Sequence, residues 1–193
     1  MTRIVAVDGI DGSGKSRFAT TLLKACVADD VPAMLFHVDD FRRHLDFAGL
    51  DADAEASLYY ERYFDLDGLD RVLAPLAQSA GAAPVAIVEG VFALRVPTVA
   101  SAGALLALNV SPAEARRRIL ERDRAKGRSD AEINHRITRR YFPSRERYLA
   151  ELGLDARADA VVDNEDWSRP CLVRRAAGRF PAPIERVLDG LAR

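Results

Sequence analysis

The chain has 193 residues, 49% apolar and 30% charged, with a formal net charge of −1. That length supports one domain with a full core, so a single domain over residues 1–193 is expected. The near-neutral balance excludes the basic field that nucleic-acid binding needs. No apolar run approaches the roughly 18 residues of a membrane span. With an apolar strand expected from Ile4, no signal peptide is expected ahead of it. Cys26 and Cys171 are isolated and lack metal-ligand spacing, as suits a reducing compartment, so the expected location is the cytoplasm. The sequence leaves the oligomeric state open, a homo-oligomer included.

In chain order, Ile4–Val7 reads as a buried strand and runs into Gly9-Ile10-Asp11-Gly12-Ser13-Gly14-Lys15-Ser16. This is the G-x-x-x-x-G-K-[ST] spacing of a phosphate loop between a strand and a helix predicted over Lys15–Val27. Main-chain N–H groups and the positive helix end converge there on an anion. Lys15 would reach the β- and γ-phosphates of a nucleotide, and the Ser16 hydroxyl would be a Mg²⁺ ligand. The expected nucleotide contacts are Gly9, Asp11, Gly12, Ser13, Gly14, Lys15, Ser16 and Arg17.

A second strand, Ala33–Val38, ends in Asp39-Asp40-Phe41. There Asp39 either accepts a proton from a substrate hydroxyl, holds Mg²⁺ through water, or merely caps a short helix. Helical periodicity covers roughly Ala54–Gln78 and contains Tyr59, Tyr60, Tyr63 and Phe64, which suit core packing. The Ala/Gly-rich stretch Gln78–Ala83 reads as a short loop. The third strand, Val85–Val88, runs into Glu89-Gly90, and a carboxylate at the tip of a buried strand calls for a cation. A fourth strand spans Leu105–Val110.

Ser111-Pro112 opens a helix over Pro112–Lys126, and Ser129 with Glu132 forms a capping box for Asp130–Glu151. The region from about 116 to 142 is dense in arginine and broken at Gly127, as a hinged lid would be. Arg118, Arg122 and Arg128 are its candidates for neutralising charge at a transferred group, although several neighbours must simply be solvated. Ala160–Val162 is a fifth strand, and a last helix covers Pro183–Leu191. Strand–helix alternation predicts an α/β three-layer fold with a parallel sheet of about five strands. Its ligands would sit at the carboxyl ends of those strands.

In this order the motifs resemble the uridine kinase-like family of P-loop kinases, a group near phosphoribulokinase and pantothenate kinase. The phosphate loop, Asp39-Asp40-Phe41, Glu89-Gly90, the Arg-rich lid ending in Gly127-Arg128, Pro143 and Ala158–Val162 carry the resemblance. It implies an ATP- and Mg²⁺-dependent transfer of the γ-phosphoryl to a hydroxyl of a nucleoside, sugar or related metabolite. Asp39 would be the base, Ser16 and Glu89 would hold Mg²⁺, and Lys15, Arg118, Arg122 and Arg128 would act on the phosphates. Acceptor contacts would come from Asp39, Phe41, Tyr63, Glu89, Arg128 and Arg136. Two departures separate the chain from pyrimidine-specific members: the base-clasping hairpin before strand three is missing, and Arg136 replaces a base-binding Gln. In the lid, the family's inner Arg-Asp aligns to Glu121-Arg122, so either Arg122 takes over or the register slips by one. The alternative is a P-loop ATPase or nucleotide switch that couples hydrolysis to a partner protein, although the chain has no Asn-Lys-x-Asp guanine reader. A non-catalytic nucleotide-binding module is a third reading.

Overall fold

The computed structural model describes residues 4–79 and 84–192. The segment before Ile4 and most of the Gln78–Ala83 loop lie outside the described residues. Strands β1 (Ile4–Asp8), β2 (Ala33–His37), β3 (Val85–Gly90), β4 (Gly103–Asn109), β5 (Ala160–Asp163) and β6 (Cys171–Arg175) form a sheet ordered β2-β3-β1-β4-β5-β6. The first five pair in parallel, and β6 runs antiparallel to β5. The sheet thus has one strand more than the five expected. Cys171–Arg175 escapes a periodicity reading because it is a short edge strand, half-buried or exposed throughout and ending in two arginines.

The central strands are apolar on both faces because helices cover both. Alternate residues divide between two cores: Ile4, Ala6, Ala86, Val88 and Ala107 on one side, Val5, Val7, Ile87 and Leu106 on the other. The second core is closed by α1 (Lys15–Ala28) and α9 (Ala182–Asp189). The first is closed by α2 (Ala52–Arg62), α3 (Leu66–Gln78) and α4 (Pro97–Ala102), and by helices from the Arg-rich region. That region comprises α5 (Pro112–Arg124), α6 (Asp130–Arg136) and α7 (Phe142–Leu152), followed by the one-turn α8 (Leu154–Arg157).

The single helix expected over Ala54–Gln78 is broken at Tyr63–Asp65. Asp65 leaves the helical path to cap α3, accepting the Gly68 N–H at 3.2 Å, and Phe64 bridges to Arg42. Both serine caps form as expected: Ser111 Oγ accepts from Glu114 N–H at 3.1 Å and Ser129 Oγ from Glu132 N–H at 3.3 Å. Between α6 and α7 the helical path widens into a π turn over Ile137–Tyr141. Pro143 supplies the reason, since it has no N–H for the preceding turn and its ring crowds the i−4 carbonyl.

At the end of β1, Asp8 is fully buried and fully partnered. It accepts from Arg145 Nη1 at 2.7 Å, Tyr148 Oη at 2.6 Å and Ala93 N–H at 2.8 Å. Removing one half of a buried ion pair strands the other charge, whereas removing both costs far less. Arg145→Met is therefore expected to cost about 3–5 kcal/mol. The Asp8→Asn/Arg145→Met double variant should recover part of that loss, with chemical denaturation as the measurement.

Candidate active site

The phosphate loop is shaped by close approaches that exclude side chains. Gly12 has φ +80°, and a Cβ there would sit 2.6 Å from the Ala115 carbonyl oxygen of α5. The loop and the Arg-rich helix therefore touch backbone to backbone. Ser13 N–H donates to the Ile10 carbonyl at 3.0 Å, and the Ser13 carbonyl accepts from Asn164 Nδ2 at 2.7 Å. The Ser13 hydroxyl is buried toward Gly9, so what Ser13 presents to a ligand is main chain. Lys15 Nζ lies over the loop, donating to Ile10 O at 2.9 Å.

A cavity of about 290 Å³ opens above the loop, lined by Asp11, Gly12, Gly14, Lys15, Ser16 and Arg17, with Asp39, Glu89, Gly90, Arg118 and Arg122 facing them. The parallel order explains the meeting: β1, β2 and β3 are neighbours, so the tips carrying the loop, Asp39 and Glu89 end side by side. Gly90 is required for this, because a Cβ there would come within 2.4 Å of Val38 Cβ. Ser16 Oγ donates to Glu89 Oε1 at 2.9 Å, and the same oxygen is 2.5 Å from His37 Nδ1. Two hard oxygen donors at the phosphate end fit Mg²⁺, which takes one or two protein ligands and completes its shell with phosphate and water. Among the described residues no cluster of three or more His, Cys, Asp or Glu suits a metal held by protein alone. Sequence reasoning missed His37; only the parallel register of β2 against β3, His37 opposite Glu89, reveals it.

Asp39 stands in a 3₁₀ turn, Val38–Phe41, whose N-cap is His37, so capping does not occupy Asp39. Its carboxylate is exposed, with Arg42 Nη1 4.0 Å away. Asp11 lies beside it. Burial raises the Asp11 carboxyl above its usual range, opposed by Lys15 and Arg122.

The lid arginines take different stations. Arg118 is nearly buried against the loop. It donates to Glu114 Oε1 at 2.6 Å, to the Asn164 and Glu165 carbonyls at 2.8 Å each, and to Gly12 O at 3.4 Å. Arg122 faces the cavity with Nε on Asp123 Oδ1 at 2.7 Å, while Glu121 points outward and pairs with Arg117. Of the two alternatives in the sequence, Arg122 is therefore the residue the helix turns toward the loop. Arg128 does not line the phosphate cavity. It pairs with the buried Asp123 at 3.1 Å in a second cavity shared with Arg136, Tyr63 and Tyr141. Phe41 reaches neither cavity; it packs on the core, and its carbonyl accepts Asp65 N–H at 2.7 Å. The bulky apolar ring favours the core over a polar mouth. Tyr59, Tyr60 and Phe64 are core residues, and Tyr63 is half-buried at the second cavity.

Arg17 extends sideways from the loop, its guanidinium 3.9 Å from the Trp167 ring centre, over a shallow pocket with Asn164 and Pro170. Trp167 and Asn164 follow β5, and nothing local in that stretch marked them.

No protein-family model and no curated protein sequence matches the chain. Solved structures do. A protein of Silicibacter sp. TM1040, provisionally assigned as a fructose transport system kinase, superposes with a TM-score of 0.59 at 22% identity. The match covers 77% of this chain and 85% of that one. A protein of Bacillus stearothermophilus, provisionally assigned as a uridine kinase, gives a TM-score of 0.60 at 17% identity, covering 83% and 88%. The chain shares the fold of these two structures, a layered α/β fold that here carries a phosphate loop between β1 and α1.

The hydrogen bond from Arg117, followed by that from Arg118, holds the Glu114 carboxyl at about 2, well below its ordinary value. A carboxyl lowered in the folded state stabilises the fold above its unfolded pKa, and that contribution disappears as pH falls through the folded value. Glu114→Gln should be less stable than the parent at neutral pH, with the gap closing between about pH 4.5 and pH 2. Thermal melts across that range measure it.

Proposed function

We propose that the protein is a small-molecule kinase that moves the γ-phosphoryl of ATP to a hydroxyl of a metabolite. The observation that carries this reading is the convergence, in one cavity, of the phosphate loop, the exposed Asp39 and the two inward arginines Arg118 and Arg122. Phosphoryl transfer has a loose transition state, so positioning and charge neutralisation do most of the work. Loop amides and Lys15 hold the β- and γ-phosphates. Mg²⁺, when bound, neutralises phosphate charge; Ser16 Oγ and Glu89 would hold it, with His37 fixing the Glu89 carboxylate. Asp39 orients the acceptor hydroxyl and takes its proton as the new O–P bond forms and the bond from the γ-phosphorus to the ADP oxygen breaks. Arg118 and Arg122 stabilise the charge spread over the transferred group. Arg17 and Trp167 offer a flat cationic and aromatic surface for the adenine.

Two substitutions divide this reading. Lys15→Ala should remove the rise in melting temperature produced by Mg-ATP, because the loop loses its phosphate cation. Asp39→Asn should keep that rise and lower acceptor-dependent ADP release by about 10²–10⁴-fold. Near-normal turnover in Asp39→Asn would remove Asp39 from the chemistry. Steady ADP release without any acceptor would favour a nucleotide-driven switch.

A further inference from the structure

We propose that the acceptor already carries an anionic group, a phosphate or a carboxylate, which Arg136, Lys126 and Arg128 bind in the cavity beyond Asp39. The inference rests on the kinase reading and names the chemistry of its acceptor.

Two cavities meet at Asp11, Asp39 and Arg122, the residues that line both. On the phosphate side stand Lys15, Ser16 and Arg118. On the far side stand Arg42, Lys126, Arg128 and Arg136, none of which lines the phosphate cavity. The basic groups are thus sorted into two sets, and the second set is placed where an acceptor would extend away from its reacting hydroxyl.

The far cavity is cationic although the chain as a whole is not. Arg42, Arg122, Lys126, Arg128 and Arg136 face only Asp11, Asp39 and Asp123 across it, while the full chain has a net charge of −1. Asp123 is fully buried and already shared by Arg122 and Arg128. Its Oδ2 is near Arg128 but lacks a well-directed hydrogen bond. Arg136 holds the exposed Glu132 at 2.9 Å and Arg128 approaches the same oxygen at 3.5 Å, i,i+4 pairs with an exposed carboxylate that contribute little. Both Arg136 and Tyr141 line the cavity wall. Lys126 makes no ion pair among the described residues and interacts with the already shared Asp123.

The wall chemistry also favours an anion. Apart from its three tyrosines, every side chain lining this cavity is charged, and the basic groups outnumber the carboxylates five to three. Guanidinium forks match carboxylate and phosphate oxygens two bonds at a time. The carboxylates Asp11 and Asp39 mark the opposite end, where an anion is repelled and a hydroxyl is welcome. An acceptor so oriented places its hydroxyl at Asp39 and its anion at Arg136.

The test is calorimetric titration of the full chain with the phosphate loop filled by a non-hydrolysable Mg-ATP analogue. Matched probes are glycerol against glycerol phosphate and glycerate, and ribose against ribose 5-phosphate and ribonate. Anionic probes should bind and their neutral partners should not, and comparing phosphates with carboxylates identifies the anion. Arg136→Gln, and separately the exposed Lys126→Gln, should weaken anion binding about 10- to 100-fold without changing affinity for the nucleotide analogue. Equal binding of neutral and charged partners, absence of anion binding, or anion binding indifferent to both substitutions would overturn the proposal. ADP release with authentic Mg-ATP separates the two readings. Turnover with neutral acceptors alone discards the anionic acceptor and keeps the kinase. Anion binding without acceptor-dependent turnover by any probe discards the kinase and keeps the anion site.

Discussion

The carboxylate of Asp8 is the constraint on which the rest of the molecule depends. It ends β1 immediately before the phosphate loop, and water does not reach it. Its three partners come from the returning helix α7, through Arg145 and Tyr148, and from the turn after β3, through Ala93 N–H. A buried carboxylate with all its partners in place is rigid, because losing any one of them leaves charge or a donor stranded in a low dielectric. One residue therefore fixes the root of the phosphate loop to the exit of β3 and to the base of the Arg-rich region. The phosphate site is assembled where those three meet.

A second buried carboxylate does similar work beside the far cavity. Glu55 of α2 accepts from His135, Arg139 and Arg140. Burial works against its charge, but the hydrogen bonds from Arg140 and Arg139 outweigh it, and its carboxyl stays below the usual range. This knot holds α2 against the π turn that Pro143 creates. The turn widens the helix between Arg136 and Tyr141, and both side chains line the far cavity. Backbone irregularity and buried ion pairing act together here, and their product is a charged wall near Asp39.

Much of what meets at the candidate site was legible in the residues. The loop spacing, the carboxylates at two strand tips and the capped, Arg-dense helices each carry a local signature that survives folding. What stayed hidden depended on register. His37 is an unremarkable strand residue until β2 pairs with β3 and sets it opposite Glu89. Arg122 and Glu121 are equally plausible until the phase of α5 turns one inward and the other outward. The division of the arginines between two cavities has no counterpart along the chain, since Arg122 and Arg128 belong to one basic run. Phe41 looked like a substrate contact by its neighbours, and half-buried it packs against the core instead of lining either cavity.

The sequence by itself determined the alternation of strands and helices and the spacing of the phosphate loop between the first strand and the first helix. Those depend on local periodicity, on glycine at fixed positions and on side-chain type. Tertiary structure alone decided the sixth strand, the break at Tyr63–Asp65, the partners of Glu89 and the station of each arginine. These are outcomes of long-range pairing in which distant residues compete for the same buried charge. Which cation wins a carboxylate such as Asp8, Glu55 or Asp123 depends on distance and burial, and neither is written in the local order of residues.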